Sequence, residues 1–157
     1  MLKLTSFLAT TCIFSPVTTY SINTGAAPRS VTTADIDTDG YLDIVVTNNA
    51  ADNATVLLNS GGNSFAPQTP AFGAGGLAPY SVTAADVNGD GRPDVIIANY
   101  DGDNIGVLIN NNGALTGQFN YAMNIGFSPY SVTSGDVDAD GWPDLIVANS
   151  GAGNVGV

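Results

Sequence analysis

The sequence contains no Glu, no His, one Cys, and only three cations: Lys3, Arg29 and Arg92. Each shortage narrows what the chain can do. Without His or Glu, general acid–base chemistry falls to Asp, and catalysis is not expected. Cys12 stands alone, so an intrachain disulfide is excluded and the redox compartment stays open. With three cations against fourteen acids and a net charge of −11, nucleic acid is not an expected partner. No apolar run reaches the length of a membrane span. No segment carries a helical period over 11 residues.

What remains is a chain of 157 residues, 44 % apolar and only 11 % charged, long enough for one core. Nineteen Gly and eight Pro punctuate it, and Val, Ile, Thr and Tyr fill the segments between. That pattern favours short strands joined by turns.

Self-comparison organises those strands. Pro28, Pro79 and Pro129 each open a copy of Pro-x-Ser-Val-Thr, 51 and 50 residues apart. Aligned from Pro79 and from Pro129, 17 of 29 positions are identical, which marks internal duplication. Each unit reads as four strands. The first covers Ser30 to Asp35, Ser81 to Asp86 and Ser131 to Asp136. The second is a nearly continuous apolar run, Asp43 to Thr47, Asp94 to Ala98 and Asp144 to Ala148, suited to burial on both faces. The third covers Ala54 to Leu58, Ile105 to Ile109, and Val155 onward. A fourth, less regular, lies near Phe65 to Phe72 and Phe119 to Ile125.

Four antiparallel strands per repeat of this length predict an all-β chain of about three β-propeller blades. The units run over about 14–64, 65–118 and 119–157, the last truncated, within a single repeat domain over 1–157. Three blades are few for a closed ring, so either a larger propeller or assembly of copies is expected to cover the outer blades. The first thirteen residues, one Lys followed by a mildly apolar stretch, read as a weak signal peptide. The competing reading is set by register. Phe14 precedes Pro28 as Phe65 precedes Pro79, which places Phe14 to Asn23 on a repeat strand.

Between the first and second strands of every unit lies an acidic loop. Asp35, Asp37, Asp39 and Asp43 form one, Asp86, Asn88, Asp90 and Asp94 the next, and Asp136, Asp138, Asp140 and Asp144 the third. Eleven of the fourteen Asp are in these loops. Unpartnered, so many close carboxylates repel one another; a hard divalent cation taking six to eight oxygens removes that cost. Gly40, Gly91 and Gly141 supply the sharp turn. The loop is no EF-hand, because the twelfth position is Val46, Ile97 or Val147 where that motif needs Glu. The metal-free alternative is a hairpin of Asx turns.

The motif Asp-x-Asp-x-Asp-Gly-x-x-Asp, preceded by Ser-Val-Thr-x-x-Asp and followed by Asp144-Leu-Ile-Val-Ala-Asn149, resembles the FG-GAP/VCBS repeat family, which includes the propeller of integrin α subunits. The resemblance covers roughly Phe14 to Val157. It implies a Ca²⁺-binding propeller on extracellular or cell-surface proteins that bind other macromolecules. It also implies three Ca²⁺, one per loop. The ligands would be the side chains at positions 1, 3, 5 and 9, with the backbone carbonyls of Tyr41, Arg92 and Trp142 at position 7. Asn88 is neutral, so the middle site should be the weakest.

The remaining motifs read as architecture. Ser30, Ser81 and Ser131 recur at one position with no His in the chain, which favours a structural hydroxyl. Tyr80, Tyr130, Phe65 and Phe119 read as inter-blade packing or strand-edge aromatics, and Trp142 as a partly exposed packing aromatic or a sugar or partner contact. Asn53-Ala-Thr55 matches the glycosylation acceptor pattern in a predicted turn. The expected function is calcium-stabilised recognition or adhesion of a protein or glycan, through loops at 48–53, 100–103 and 150–153. Two alternatives stand beside it: part of a calcium-dependent polysaccharide-active enzyme, and a purely structural, self-assembling repeat.

Overall fold

The computed structural model describes residues 18–22, 25–61, 64–68, 72–74 and 77–157. They form three antiparallel sheets in chain order, with no α-helix among them. Blade 1 holds β1 (Pro28–Ala34), β2 (Asp43–Asn48), β3 (Asn53–Asn59) and β4 (Phe65–Pro67), with β5 (Phe72–Gly73) also on β3. Blade 2 holds β6 (Pro79–Ala85), β7 (Asp94–Asn99), β8 (Asn104–Asn111) and β9 (Ala114–Ala122). Blade 3 holds β10 (Pro129–Gly135), β11 (Asp144–Asn149) and β12 (Asn154–Gly156). The described residues are an all-β stack of propeller-type blades that do not close into a ring.

Each first strand starts at its Pro, two residues before the expected Ser. Pro28 stands opposite Asn48, Pro79 opposite Asn99 and Pro129 opposite Asn149, and the register slips before Ser30, Ser81 and Ser131. A proline fits there because β1, β6 and β10 are each the edge strand of their sheet. The fourth strand differs more from expectation. In blade 1 it is split into β4 and β5, and in blade 2 it starts at Ala114 and ends at Ala122. A tight turn at Asn112 (φ 53°) and Gly113 (φ 83°) lets β9 pair with β8 along its length. Of the strand expected over 14–23, residues 14–17 and 23 lie outside the described set, and 18–22 belong to no strand. Residues 1–13, for which a leader was one of two readings, also lie outside it. Asn53 opens β3 instead of sitting in a turn, and the Thr55 hydroxyl is buried against Asn48 Nδ2 at 2.8 Å.

The core lies between the blades. Successive residues of β7 point to opposite faces, as a strand requires. Val95 and Ile97 meet Val45, Ala54 and Val56 of blade 1; Ile96 and Ala98 meet Val132 and Val147 of blade 3. Every residue of β7 is buried. Fully burying one such aliphatic side chain contributes about 1.5–3 kcal/mol, so each blade depends on its neighbour for its core.

The inner strands are fastened by the repeated serine. Ser30 Oγ accepts the Val82 N–H at 3.3 Å, and Ser81 Oγ accepts the Val132 N–H at 3.2 Å. These hydroxyls join one blade to the next, as a structural role requires.

Candidate metal centres

Each acidic loop leaves the end of an inner strand and returns into the second strand of its blade. Its first Asp folds the loop around itself. Asp35 accepts the N–H groups of Asp39 (3.0 Å) and Gly40 (2.9 Å). Asp136 accepts those of Asp140 (3.1 Å) and Gly141 (3.0 Å). Asp86 takes Gly89, Asp90 and Gly91. Burial works against the charged form of Asp86. The amides of Gly91, Gly89, Asp90 and Asn88 together outweigh it and hold that carboxyl below its ordinary value. The fifth-position Asp caps the next turn: Asp39, Asp90 and Asp140 accept the N–H of Tyr41, Arg92 and Trp142 at 2.8–2.9 Å. The Asx-turn framework is thus present, and it aims carboxylates inward.

Two loops gather three carboxylates with oxygens within 4.8 Å of one another: Asp35, Asp37 and Asp39, and Asp136, Asp138 and Asp144. The donor set is all oxygen, which is what a hard divalent cation takes. Asp37 adds a second observation, because its Oδ1 is buried without a hydrogen-bond partner. Burial raises the Asp37 pKa, and the charges of Asp43 and Asp39 add to the rise. An uncompensated buried carboxylate oxygen facing like charges fits a cation. These residues could therefore hold a hard divalent cation.

The middle loop differs. Asn88 takes the third position, and Asp86, Asp90 and Asp94 do not cluster within that distance. Asp90 Oδ2 is instead approached by Asn88 Nδ2 at 3.2 Å and by Arg92 Nε at 3.9 Å. Among the described residues, no side-chain donor stands at the corresponding Asp39 or Asp140.

The ninth-position Asp was expected only as a ligand. The structure shows that it also clamps the blade. Asp43 is fully buried; its Oδ2 accepts Ile36 N–H and its Oδ1 accepts Asn59 N–H, both at 2.8 Å. Asp94 repeats this with Val87 (3.1 Å) and Asn110 (2.8 Å). Burial raises its pKa against those two amides. Asp144 takes Val137 N–H at 2.9 Å. Each clamp ties loop to second strand, and in blades 1 and 2 to the third.

The seventh-position side chains part company. Tyr41 lies over Gly61 of its own blade, where an added Cβ would meet its ring at 3.1 Å. Arg92 turns back to Asp90. Trp142 reaches the preceding loop, where a Cβ on Gly89 would sit 2.6 Å from the indole. Neighbours also cover the first loop. Asn110 Nδ2 donates to Ile36 O at 2.8 Å, and the Gly113 backbone sits against Asp37. Blade 2 thus partly covers Asp37.

A family model for the FG-GAP-like repeat matches residues 10–46, 35–97 and 86–147. The chain belongs to the FG-GAP-like repeat family. The second and third matches start at Asp35 and Asp86, the first residues of acidic loops, so the matched unit straddles two blades. No curated protein matches the chain.

At the opposite end of the FG-GAP-like blades, Tyr80 and Tyr130 pack between blades as expected, and Arg29 and Tyr100, which sequence reading did not place, join them. Arg29 stacks on Tyr80 with its guanidinium carbon 3.5 Å from the ring centroid, and its Nη2 donates to Tyr130 Oη at 3.3 Å. Tyr80 stacks on Tyr100 at 4.4 Å and meets Tyr130 edge-on at 5.2 Å. Arg29, Tyr80 and Tyr130 each follow the repeated Pro, which was the available signal. Two of the three Asp outside the loops are also placed. Asp52 Oδ1 accepts Ala78 N–H at 2.8 Å; Asp103 accepts Gly126 N–H at 2.8 Å and Ser128 N–H at 2.7 Å. They hold the linkers between blades. Among the described residues, no helix is long and apolar enough to cross a membrane.

Proposed function

We propose that this FG-GAP-like chain is a calcium-binding propeller module in which calcium is structural, serving recognition or adhesion of a protein or glycan in an extracellular or cell-surface setting. The observation that carries the metal reading is the buried, unpartnered Asp37 Oδ1 within a tight carboxylate cluster. Bound calcium would supply the charge compensation those loops lack, while Asp35, Asp37, Asp39, Asp136, Asp138 and Asp144 hold it. The middle site is the weakest, since Arg92 and Asn88 already serve Asp90.

The module binds and does not catalyse. Asp52 and Asp103, which stand outside the loops, are engaged with backbone amides, and the chain has neither His nor Glu. Recognition is favoured at the end away from the calcium loops, where Arg29, Tyr100 and Tyr130 lie beside the 48–53, 100–103 and 150–153 turns. Tyrosine and arginine suit partner contacts because they present large area and several donors.

Thermal melting with calcium and with excess chelator tests the metal reading. Calcium at a hundredfold excess over Kd adds about 2.7 kcal/mol per site, so the midpoint rises clearly. An unchanged midpoint would sink the calcium reading.

A further inference from the structure

The fourth position of each acidic loop has a left-handed backbone: Thr38 (φ 61°), Gly89 (φ 77°) and Ala139 (φ 63°). Two of the three carry a side chain, so the loop forms without glycine there. Gly89 answers to a different demand. An added Cβ would stand 2.6 Å and 2.7 Å from two carbons of the Trp142 indole, which is closer than carbon atoms pack. Only a residue without a side chain lets the indole lie where it does. The loop pair one blade earlier carries the opposite combination. Its seventh-position residue is Arg92, which turns back to Asp90, and the fourth position before it is Thr38. Glycine and the aromatic of the following loop thus occur together.

Both sides of this contact are tied to a carboxylate framework. Gly89 N–H donates to Asp86 Oδ1 at 2.8 Å, so Asp86 gathers three amides of its loop where Asp35 and Asp136 gather two. On the other side, Trp142 N–H donates to Asp140 Oδ1 at 2.8 Å, and Gly141 N–H, one residue earlier, donates to Asp136 Oδ2 at 3.0 Å. The indole belongs to neither hydrophobic core and stays 56 % exposed. Its placement therefore follows the backbone of the third loop, and what it rests on is the backbone of the middle one.

We propose that Trp142 is a positioning residue that couples the third acidic loop to the middle one, so that the two take up calcium cooperatively. Charge compensation in the third loop ends the repulsion among Asp136, Asp138 and Asp144 and fixes the backbone that carries the indole. The indole then holds Gly89, and with it the turn built on Asp86. The middle loop, weakest by itself, binds more tightly once the third is filled, and linkage requires the same factor in reverse. The inference rests on the calcium reading above and adds which sites act together.

Calcium titration of wild type, D136N/D138N and G89A tests this, read by hydrogen exchange of the Gly89, Asp90 and Gly91 amides and by the emission of Trp142, the single tryptophan of the chain. D136N/D138N removes two charges from the third loop and keeps oxygens for its amides. G89A suits the loop backbone, as Ala139 does at φ 63°, but displaces the indole. Half-protection of the middle-loop amides should need about fivefold more calcium in either variant than in wild type. G89A should also shift Trp142 emission to the red, even in chelator, because water reaches the displaced ring. Equal half-protection in wild type and D136N/D138N, or G89A emission identical to wild type, would overturn the coupling and leave calcium binding standing. Calcium that changes neither the amides, the emission nor the melting midpoint of wild type would overturn the calcium reading itself, and the coupling with it.

Discussion

Blades 2 and 3 carry nearly the same second strand, Asp-Val-Ile-Ile-Ala-Asn and Asp-Leu-Ile-Val-Ala-Asn, yet they live in different environments. All six residues of β7 are buried, whereas in β11 only Val147 and Asn149 are. The apolar run therefore does not decide burial by itself. A neighbour on each face does, and blade 2 alone has two among the described residues. The sharpest way to break this comparison is to make the same cavity in both strands. Ile96→Ala empties a fully buried site and should cost about 2–5 kcal/mol in urea unfolding, whereas Ile146→Ala should cost about 1 kcal/mol or less. Measured at low concentration, equal losses would mean that the outer face of blade 3 is already covered.

The ninth-position aspartates sharpen the comparison at the acidic loops. Asp94 satisfies the amides of Val87 and Asn110, and Asn110 is itself fully buried. Removing the carboxylate strands both donors, so Asp94→Ala should cost about 2–4 kcal/mol even in chelator, where metal plays no part. Asp144 holds one exposed amide, and Asp144→Ala under the same conditions should cost about 1 kcal/mol or less. A larger loss for Asp144 would show that the clamp is not what sets blade 2 apart.

The legible parts of this molecule were those written within one loop or one strand. The repeated Pro, the Asp spacing and the apolar runs showed three blades and three acidic loops, because hairpin partners are close in sequence. Contacts between blades were harder to see. Ser30 meets Val82, Ser81 meets Val132 and Asn110 meets Ile36 across 51 to 74 residues. A side chain that acts once per repeat on its neighbour looks like any other conserved-looking hydroxyl or amide within the unit. The clue was the separation itself, since a bond spanning about one repeat joins equivalent places in successive blades. The dual use of Asp43 and Asp94 was hidden for another reason: a motif names a ligand position but not the amides behind it. The Arg29, Tyr80, Tyr100 and Tyr130 cluster likewise needs the blades stacked before its members meet.

The smallest expected effect concerns the linker clamp, which blade 2 has at Asp103 and blade 3 lacks at Gly153. The amides of Gly126 first, and then Ser128, hold the Asp103 carboxyl below its ordinary value of 3.8. A carboxylate whose folded-state pKa is depressed adds stability that is complete above its unfolded value and is lost as pH falls through the folded one. Wild type should therefore exceed Asp103→Asn in melting midpoint at neutral pH, since an amide oxygen replaces only part of the two-amide grip. That gap should hold down to about pH 4 and close below it, as the wild-type carboxyl takes up its proton. Comparing the two proteins at each pH cancels the other thirteen Asp, whose titration is common to both. A gap that stayed constant through the acid range would assign the loss to altered packing and not to the charge.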